Sequence, residues 1–315
     1  MVVLWHTHVL FAVLGQEPRQ GQLALEEQSL SIKEADFVLL ISCEDRKGIV
    51  AAVANSIASQ DCNIVENAQY GDSPTGRFFM RIAFQAPEGL TIATFSEAFK
   101  PVATAYRLDW NVHDLKYKLR TMIMVSQGGH CLNDLLYRTS TGRLPMEITS
   151  VVSNHLVWQR RAEHEGIAFH HLPITAETKA EQEAKLLTLV EAQKVDLIIL
   201  ARYMQVLSDD VCRLLDGRVI NIHHSFLPGF KGAKPYHRAY ERGVKMVGAT
   251  AHYVTPDLDE GPIITQDVSI VDHADTVDEL IAQGQDTESR VLARAVKAHL
   301  EHRILLSGSR TVLFK

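Results

Sequence analysis

The chain has 315 residues, 46% hydrophobic and 22% charged, an ordinary globular make-up with length enough for two cores. A formal net charge of −6, with no Lys/Arg-rich run, argues against a nucleic-acid-binding surface. The cysteines (Cys43, Cys62, Cys131, Cys212) are widely spaced with no Cys-x-x-Cys pair, which points to free thiols in a reduced, cytoplasmic setting.

Residues 1–35 include an apolar run at 9–14 that is too short to span a bilayer and has no Lys or Arg before it. We read this segment as a flexible extension or an over-long start. Residues 37–43 form an apolar, β-rich strand, and Asp-Arg-Lys-Gly at 45–48 turns into a helix with Ile49, Val50, Val53 and Ile57 at helical spacing. Strands at 62–68 and 78–84 flank a Gly-Asp-Ser-Pro-Thr-Gly turn; a helix at 91–105 and a strand at 109–115 complete a βαββαβ order, a ferredoxin-like sandwich over 36–116. After a short basic linker at 116–120, strands at 121–125, 147–152, 196–200 and 218–222 alternate with helices at 131–137, 155–164, 178–193 and 206–215. That alternation predicts an α/β, Rossmann-like second domain over 120–315 with a mostly parallel sheet. Strands at 249–254 and 263–268, a helix at 276–305 and a last strand at 311–314 follow.

The most informative stretch runs from Asn221 to Asp267. Val219 and Ile220 read as the end of a buried strand, and Asn221 and His223, two residues apart, leave one face of it. Pro228-Gly229 then breaks the strand. Open α/β sheets place their chemistry at the carboxyl ends of central strands. An amide, an imidazole and, further on, the carboxylate of Asp259 in Asp-Leu-Asp-Glu-Gly-Pro therefore mark an active site.

Asn-x-His-x-Ser-x-Leu-Pro followed by Asp-Leu-Asp-x-Gly-Pro resembles the folate-dependent formyltransferase family, and His-His-Ser-Phe-Leu-Pro with Gly-Ala-Lys-Pro-Tyr is most similar to its formyltetrahydrofolate deformylase branch. The resemblance implies hydrolysis of 10-formyltetrahydrofolate to tetrahydrofolate and formate, supplying purine biosynthesis and one-carbon pools, with the folate as substrate and no cofactor. It assigns catalysis to three residues: Asn221 donates to the developing oxyanion, His223 polarises the carbonyl and moves a proton, and Asp259 orients His223 and accepts a proton from water. It places the pterin beside Met204, Gln205, Val206 and Leu207 of one loop and Thr255 and Asp257 of another. As side chains alone, Val206 and Leu207 read equally well as core.

Asp-Arg-x-Gly-Ile-Val at 45–50 and Asn-Ile-Val at 63–65 make the first domain similar to ACT modules, amino-acid-sensing regulators. That resemblance implies effector binding at Asp45, Arg46, Lys47 and Gly48, with glycine or methionine as candidates, and a homo-oligomer. The alternative is an ordinary helix start with Asp45 as N-cap.

Several residues near the motif carry weaker readings. His224 is expected on the opposite face of the strand from His223, packed and hydrogen-bonded; His252 lines the pocket or sits in the core. His223, His224, His237, His252 and Asp259 match no familiar zinc spacing, so no metal is expected. Gly128-Gly129 lacks the phosphate-loop pattern of relatives that formylate glycinamide ribonucleotide, and Cys131 has no local activator as a nucleophile. Phe226, Phe230, Pro235 and Tyr236 are expected to crowd the loops after the catalytic strand. Two rivals remain: formyl transfer to an amine, and a non-catalytic amino-acid sensor.

Overall fold

The structure, a computed structural model, describes residues 35–227 and 235–315. The expectations for residues 1–34, Pro228-Gly229, Phe230 and Gly232 to Lys234 lie outside these.

Strands β1 (Phe37–Glu44), β2 (Asn63–Asp72), β3 (Arg77–Gln85) and β4 (Asp109–Asp114) form an antiparallel sheet in the order β2-β3-β1-β4. With α1 (Ile49–Ala58) and α2 (Ile92–Tyr106) they make the expected βαββαβ sandwich. Strand alternation divides its two faces. Leu39, Ile41 and Cys43 of β1 and Met80, Ile82 and Phe84 of β3 pack with Ile49, Val53, Phe95 and Phe99 of the helices. Leu40 and Phe79, on the other face, meet the carboxyl-terminal residues Leu305 and Phe314.

The second sheet has seven strands, β5 (Leu119–Val125), β6 (Met146–Ser153), β7 (Ala168–His171), β8 (Leu197–Leu200), β9 (Val219–His223), β10 (Met246–Tyr253) and β11 (Ile263–Ile270). Their order is β11-β10-β9-β8-β5-β6-β7, parallel from β7 to β9 and antiparallel for β10 and β11. The near-continuous apolar runs Leu-Ile-Ile-Leu in β8 and Met-Ile-Met-Val in β5 fit strands covered on both faces. Helices α3 (His130–Ser140), α4 (Gln159–His164), α5 (Lys179–Ala192), α6 (Asp209–Leu214) and α7 (Pro235–Glu241) intervene, and α8 (Val277–Leu300) lies along β9, β10 and β11. The strand order reverses beside β5, so the loops after β5, β8 and β9 open at one edge of the sheet, where such folds hold ligands.

Three sequence expectations need correction. The last helix stops at Leu300, because His302 takes a left-handed φ of 50°; residues 304–307 instead form β12 (Ile304–Ser307), paired with β13 (Arg310–Leu313) about Gly308 at φ 62°. The helix expected at 206–215 begins only at Asp209, capped by the Ser208 hydroxyl accepting from Val211 N, which leaves Val206 and Leu207 in a loop. The helix expected at 155–164 is the shorter α4, and β7 and α7 went unread, being four and seven residues long with weak periodicity.

Candidate active site

The end of β9 sets the site. Ile220 and Ile222 face the core with Ala251 and Val291, so alternation turns Asn221 and His223 to the other side. The chain beyond β9 is held by buried polar groups. Thr250 Oγ1 donates to Ser225 O at 2.9 Å and accepts from Leu227 N at 3.1 Å, while Gln266 Nε2 donates to Leu227 O at 3.0 Å. These bonds turn Ser225 and Leu227 inward and leave Phe226 51% exposed, so Phe226 is no part of the cavity wall. Pro235 opens α7, and Tyr236 lines the cavity.

Asp259 reaches His223 from the loop after β10. His223 Nδ1 lies 3.2 Å from Asp259 Oδ2, and that hydrogen bond, working against burial, holds the Asp259 carboxyl below its ordinary range. The residue delivering it has a φ of 58°, an uncommon backbone state outside glycine that costs about 1–3 kcal/mol. Gly261 makes the approach possible, since a Cβ there would lie 1.8 Å from Tyr253 O. With Nδ1 engaged, Nε2 of His223 is buried without a hydrogen-bond partner among the described residues.

His252 completes the constellation. Its Nδ1 sits 2.9 Å from the Tyr253 carbonyl, which can only accept, so the proton belongs on Nδ1. Nε2 then accepts from Asn221 Nδ2 at 3.2 Å and fixes which way the amide points. Burial lowers the His252 pKa, which keeps the ring neutral for this task. His252 therefore belongs to the pocket, having been left open between pocket and core. His224 departs from expectation. The strand ends at His223, so alternation no longer governs it; it lines the same cavity, and its buried Nδ1 has no partner among the described residues. Burial, then the charge of Arg202, lowers its pKa to about 4.

The cavity holds about 650 Å³. Met204, Gln205, Val206, Leu207, Thr255 and Asp257 all line it. Met204 and Val206 are 58% and 55% exposed, whereas Leu207 at 7% also belongs to the core. Ser126 positions this wall: its Oγ accepts from Met204 N at 2.9 Å and donates to Asn154 Oδ1 at 2.7 Å, coupling the loops after β5 and β8. Thr255 Oγ1 donates to Asp257 O at 3.2 Å, closing the facing loop on itself. Loop backbone with a few apolar side chains is the usual build of a flat heteroaromatic site.

The same cavity is lined by residues that sequence reasoning did not single out as a set. Glu288 of α8, 1% exposed, receives His130 Nε2 at 2.8 Å, Arg202 Nε at 3.2 Å and Tyr236 Oη at 2.5 Å. Burial pushes its pKa up, but the His130 bond and the Arg202 charge outweigh it, and the net shift is downward. Glu288 lies on the buried side of α8, where periodicity alone predicts an apolar residue; a charge in that register was the signal.

Among the described residues, one group has metal-ligand spacing, His130, Cys131 and Glu288, with ligand atoms within 4.8 Å. The donor set suits an ion poorly: burial pushes the Cys131 thiol far up, and Glu288 is already engaged by Arg202 and Tyr236. The same burial removes Cys131 as a nucleophile. Gly129 serves packing, since a Cβ there would meet the Trp158 ring at 1.9 Å.

Asp45, Arg46, Lys47 and Gly48 lie apart from this cavity, in the turn between β1 and α1. Asp45 does not cap α1: the N-cap is Gly48, at φ 93° with no side-chain cap. Arg46 bonds Glu44 at 2.7 Å.

The formyl transferase domain family matches residues 119–296. A relative from Corynebacterium sp. (strain P-1), named formyltetrahydrofolate deformylase, is 49% identical over 286 residues, covering 90% of this chain and 99% of that one. A crystal structure of formyltetrahydrofolate deformylase from Burkholderia mallei is similar with a TM-score of 0.85 at 49% identity, covering 89% of this chain and all of the other. Glycinamide ribonucleotide transformylase 1 from Symbiobacterium toebii reaches a TM-score of 0.59 at 30% identity over 63% of this chain. The transformylase matches only part of the chain, whereas the likeness to the deformylases runs through both sheets, and the chain belongs to the formyltetrahydrofolate deformylase family.

Proposed function

We propose that the protein hydrolyses 10-formyltetrahydrofolate to tetrahydrofolate and formate, with the folate as substrate. The observation that carries the site assignment is the His223–Asp259 contact at 3.2 Å beside the oriented amide of Asn221, all in one cavity. In this reading the pterin lies against Met204, Gln205, Val206 and Leu207 and under Thr255 and Asp257, and the formyl carbonyl faces Asn221. Water adds to the formyl carbon. Its oxygen forms the new C–O bond, one proton passes to Asp259, and the carbonyl oxygen takes the negative charge under the Asn221 N–H. Imidazolium His223, stabilised by Asp259, donates from Nε2 to the folate nitrogen as the C–N bond breaks. The hydroxyl proton of the product acid returns to His223 Nε2 as formate leaves, and Asp259 gives the water's proton to solvent, which restores both groups.

The assay is formate release by the purified protein from 10-formyltetrahydrofolate, with no other acceptor and then with glycinamide ribonucleotide added. Formate without acceptor supports the hydrolase; formyl appearing faster on the amine would give the reaction to a transferase. We further infer a regulatory ACT-type unit over 36–116 and a catalytic unit over 120–315, glycine or methionine bound near Asp45, Arg46, Lys47 and Gly48, and a cytoplasmic homo-oligomer. The βαββαβ order supports this, and calorimetry silent across the amino acids would count against it. Among the described residues, no helix is long and apolar enough to cross a membrane.

A further inference from the structure

A second cavity, of about 630 Å³, is lined by residues of both sheets. Leu40 and Val112 come from the first sheet, Leu119 from the second, and Ile304 and Leu306 from β12. These apolar walls and a volume in the range of small-molecule sites suit an organic ligand, and the hydrolysis gives the cavity no task. It is a different place from the turn at 45–48, none of whose residues line it.

The polar lining selects one sign of charge. Its charged residues are Asp114 and Asp196, and among the described residues no Lys or Arg lines it. The cations nearby are engaged elsewhere: Lys116 by Asp36 at 2.6 Å, Arg120 by Glu147 at 2.6 Å and Arg81 by Glu66 at 2.8 Å. Asp196 Oδ2 accepts from Tyr117 Oη at 2.9 Å and from Arg120 N at 2.8 Å, and Asp114 Oδ1 accepts from Lys116 N at 2.8 Å. Each carboxylate thus keeps a second oxygen for a ligand. Three imidazoles, His113, His299 and His302, make up much of the remaining polar wall. Burial holds His299 at about 4 and His302 at about 3 and lowers His113, so each ring is neutral at pH 7 and carries one acceptor nitrogen. Carboxylates and neutral imidazoles can accept from an ammonium, which only donates. An anion would meet two like charges.

Tyr253 joins this cavity to the catalytic groups. Its Oη lies 2.8 Å from His299 Nδ1 in the cavity wall. Its carbonyl holds His252 Nδ1 at 2.9 Å and is the atom that Gly261 must clear, and its N–H donates to Pro262 O at 3.0 Å. One residue therefore touches the second cavity with its side chain and the supports of Asn221 and Asp259 with its backbone. We propose that the second cavity binds a small organic cation with an apolar body, and that its occupancy is felt at Asn221 and Asp259 through Tyr253. The coupling rests on the hydrolase reading; the binding does not.

The probe is pentylammonium, with pentanol and pentanoate as its uncharged and anionic counterparts, read by calorimetry on the full chain. Wild type should bind the cation and bind pentanoate at least about tenfold more weakly, since like charges in contact are costly. Asp114→Asn keeps an oxygen for Lys116 N and should weaken pentylammonium by about tenfold, the effect of losing one charged hydrogen-bond partner, with formate release in the absence of probe unchanged. Leu306→Trp, at a position 44% exposed, should fill the cavity mouth and abolish binding. Saturating pentylammonium should change kcat/KM for formate release by about fivefold or more in wild type. Tyr253→Phe, which keeps the carbonyl and loses the bond to His299, should still bind the probe and lose that response. No binding of pentylammonium by wild type overturns the proposal; so does equal binding of pentanoate, or equal binding of the cation by Asp114→Asn shown to be folded by circular dichroism. Binding with formate release unmoved overturns the coupling. No formate release by wild type at all would sink the hydrolase reading while the binding comparisons still stand.

Discussion

At the scale of single residues, the site consists of groups whose hydrogen-bond roles are forced on them. His252 has its proton fixed by the Tyr253 carbonyl and so must accept from Asn221; His223 has Nδ1 fixed by Asp259 and so turns Nε2 to the cavity. Such pre-set donors stabilise a transition state because no reorganisation is needed when charge develops. Asn221→Ala should lower kcat by about 10²–10³-fold, the loss seen when one oxyanion donor is removed. Asp259→Asn should cost at least as much, and combining it with His223→Ala should add little, since residues acting as a unit are non-additive. Steady-state kinetics with circular dichroism check both; near-wild-type turnover by Asp259→Asn would remove it from the mechanism.

At the scale of elements, short loops do the positioning and strand ends anchor them. The loop after β10 carries Asp259 in a left-handed conformation and passes Gly261 against the Tyr253 carbonyl. Gly261→Ala cannot be absorbed by a side-chain adjustment, because the clash at 1.8 Å is with backbone. The loop must move, and Asp259 with it. A displacement of about 1 Å in a catalytic group costs about 10²-fold, so kcat should fall by that order while far-ultraviolet circular dichroism stays as in wild type. Full activity in Gly261→Ala would show that the loop has slack the geometry does not suggest.

At the scale of the molecule, the two sheets are joined by the carboxyl-terminal segment. Arg81 of β3, fully buried, pairs with Glu66 at 2.8 Å and donates to the carbonyls of Glu301 (3.1 Å) and His302 (3.0 Å) just past α8. Arg81→Ala strands two carbonyls and a carboxylate; Glu66 keeps some exposure, so we expect a loss of about 3 kcal/mol, read from urea titrations. Beside it the His113 and His302 rings stack at 3.9 Å, and His299 bonds Tyr253 Oη at 2.8 Å. Burial holds His299 at about 4 and His302 at about 3, and lowers His113. These rings stay neutral when folded but take protons near pH 6.5 when unfolded. Their stabilisation is therefore complete above pH 6.5 and is lost as pH falls towards 4, by up to about 1.4 kcal/mol per pH unit per histidine. Thermal unfolding at pH 7.5, 6 and 5 checks it; a flat profile would mean the rings are solvated.

The sequence by itself determined the βαββαβ succession of the first unit and the mostly parallel character of the second, and it marked Asn221, His223 and Asp259 as candidates, because strand alternation, helical spacing and a motif with chemically demanding residues are all local properties. It also separated the two faces of β9, one buried and one reactive. Tertiary structure decided what locality could not. Asn221 and His252 lie far apart in sequence, and antiparallel pairing of β9 with β10 makes them neighbours. His224 enters the cavity because the strand stops one residue earlier, and residues 304–307 leave α8 because Leu305 finds Phe79 on a distant strand. Glu288 was visible only as a charge in an apolar register. Its meaning came from Arg202, His130 and Tyr236, carried there by three other elements, and partners so remote in sequence leave no pattern around the residue they complete.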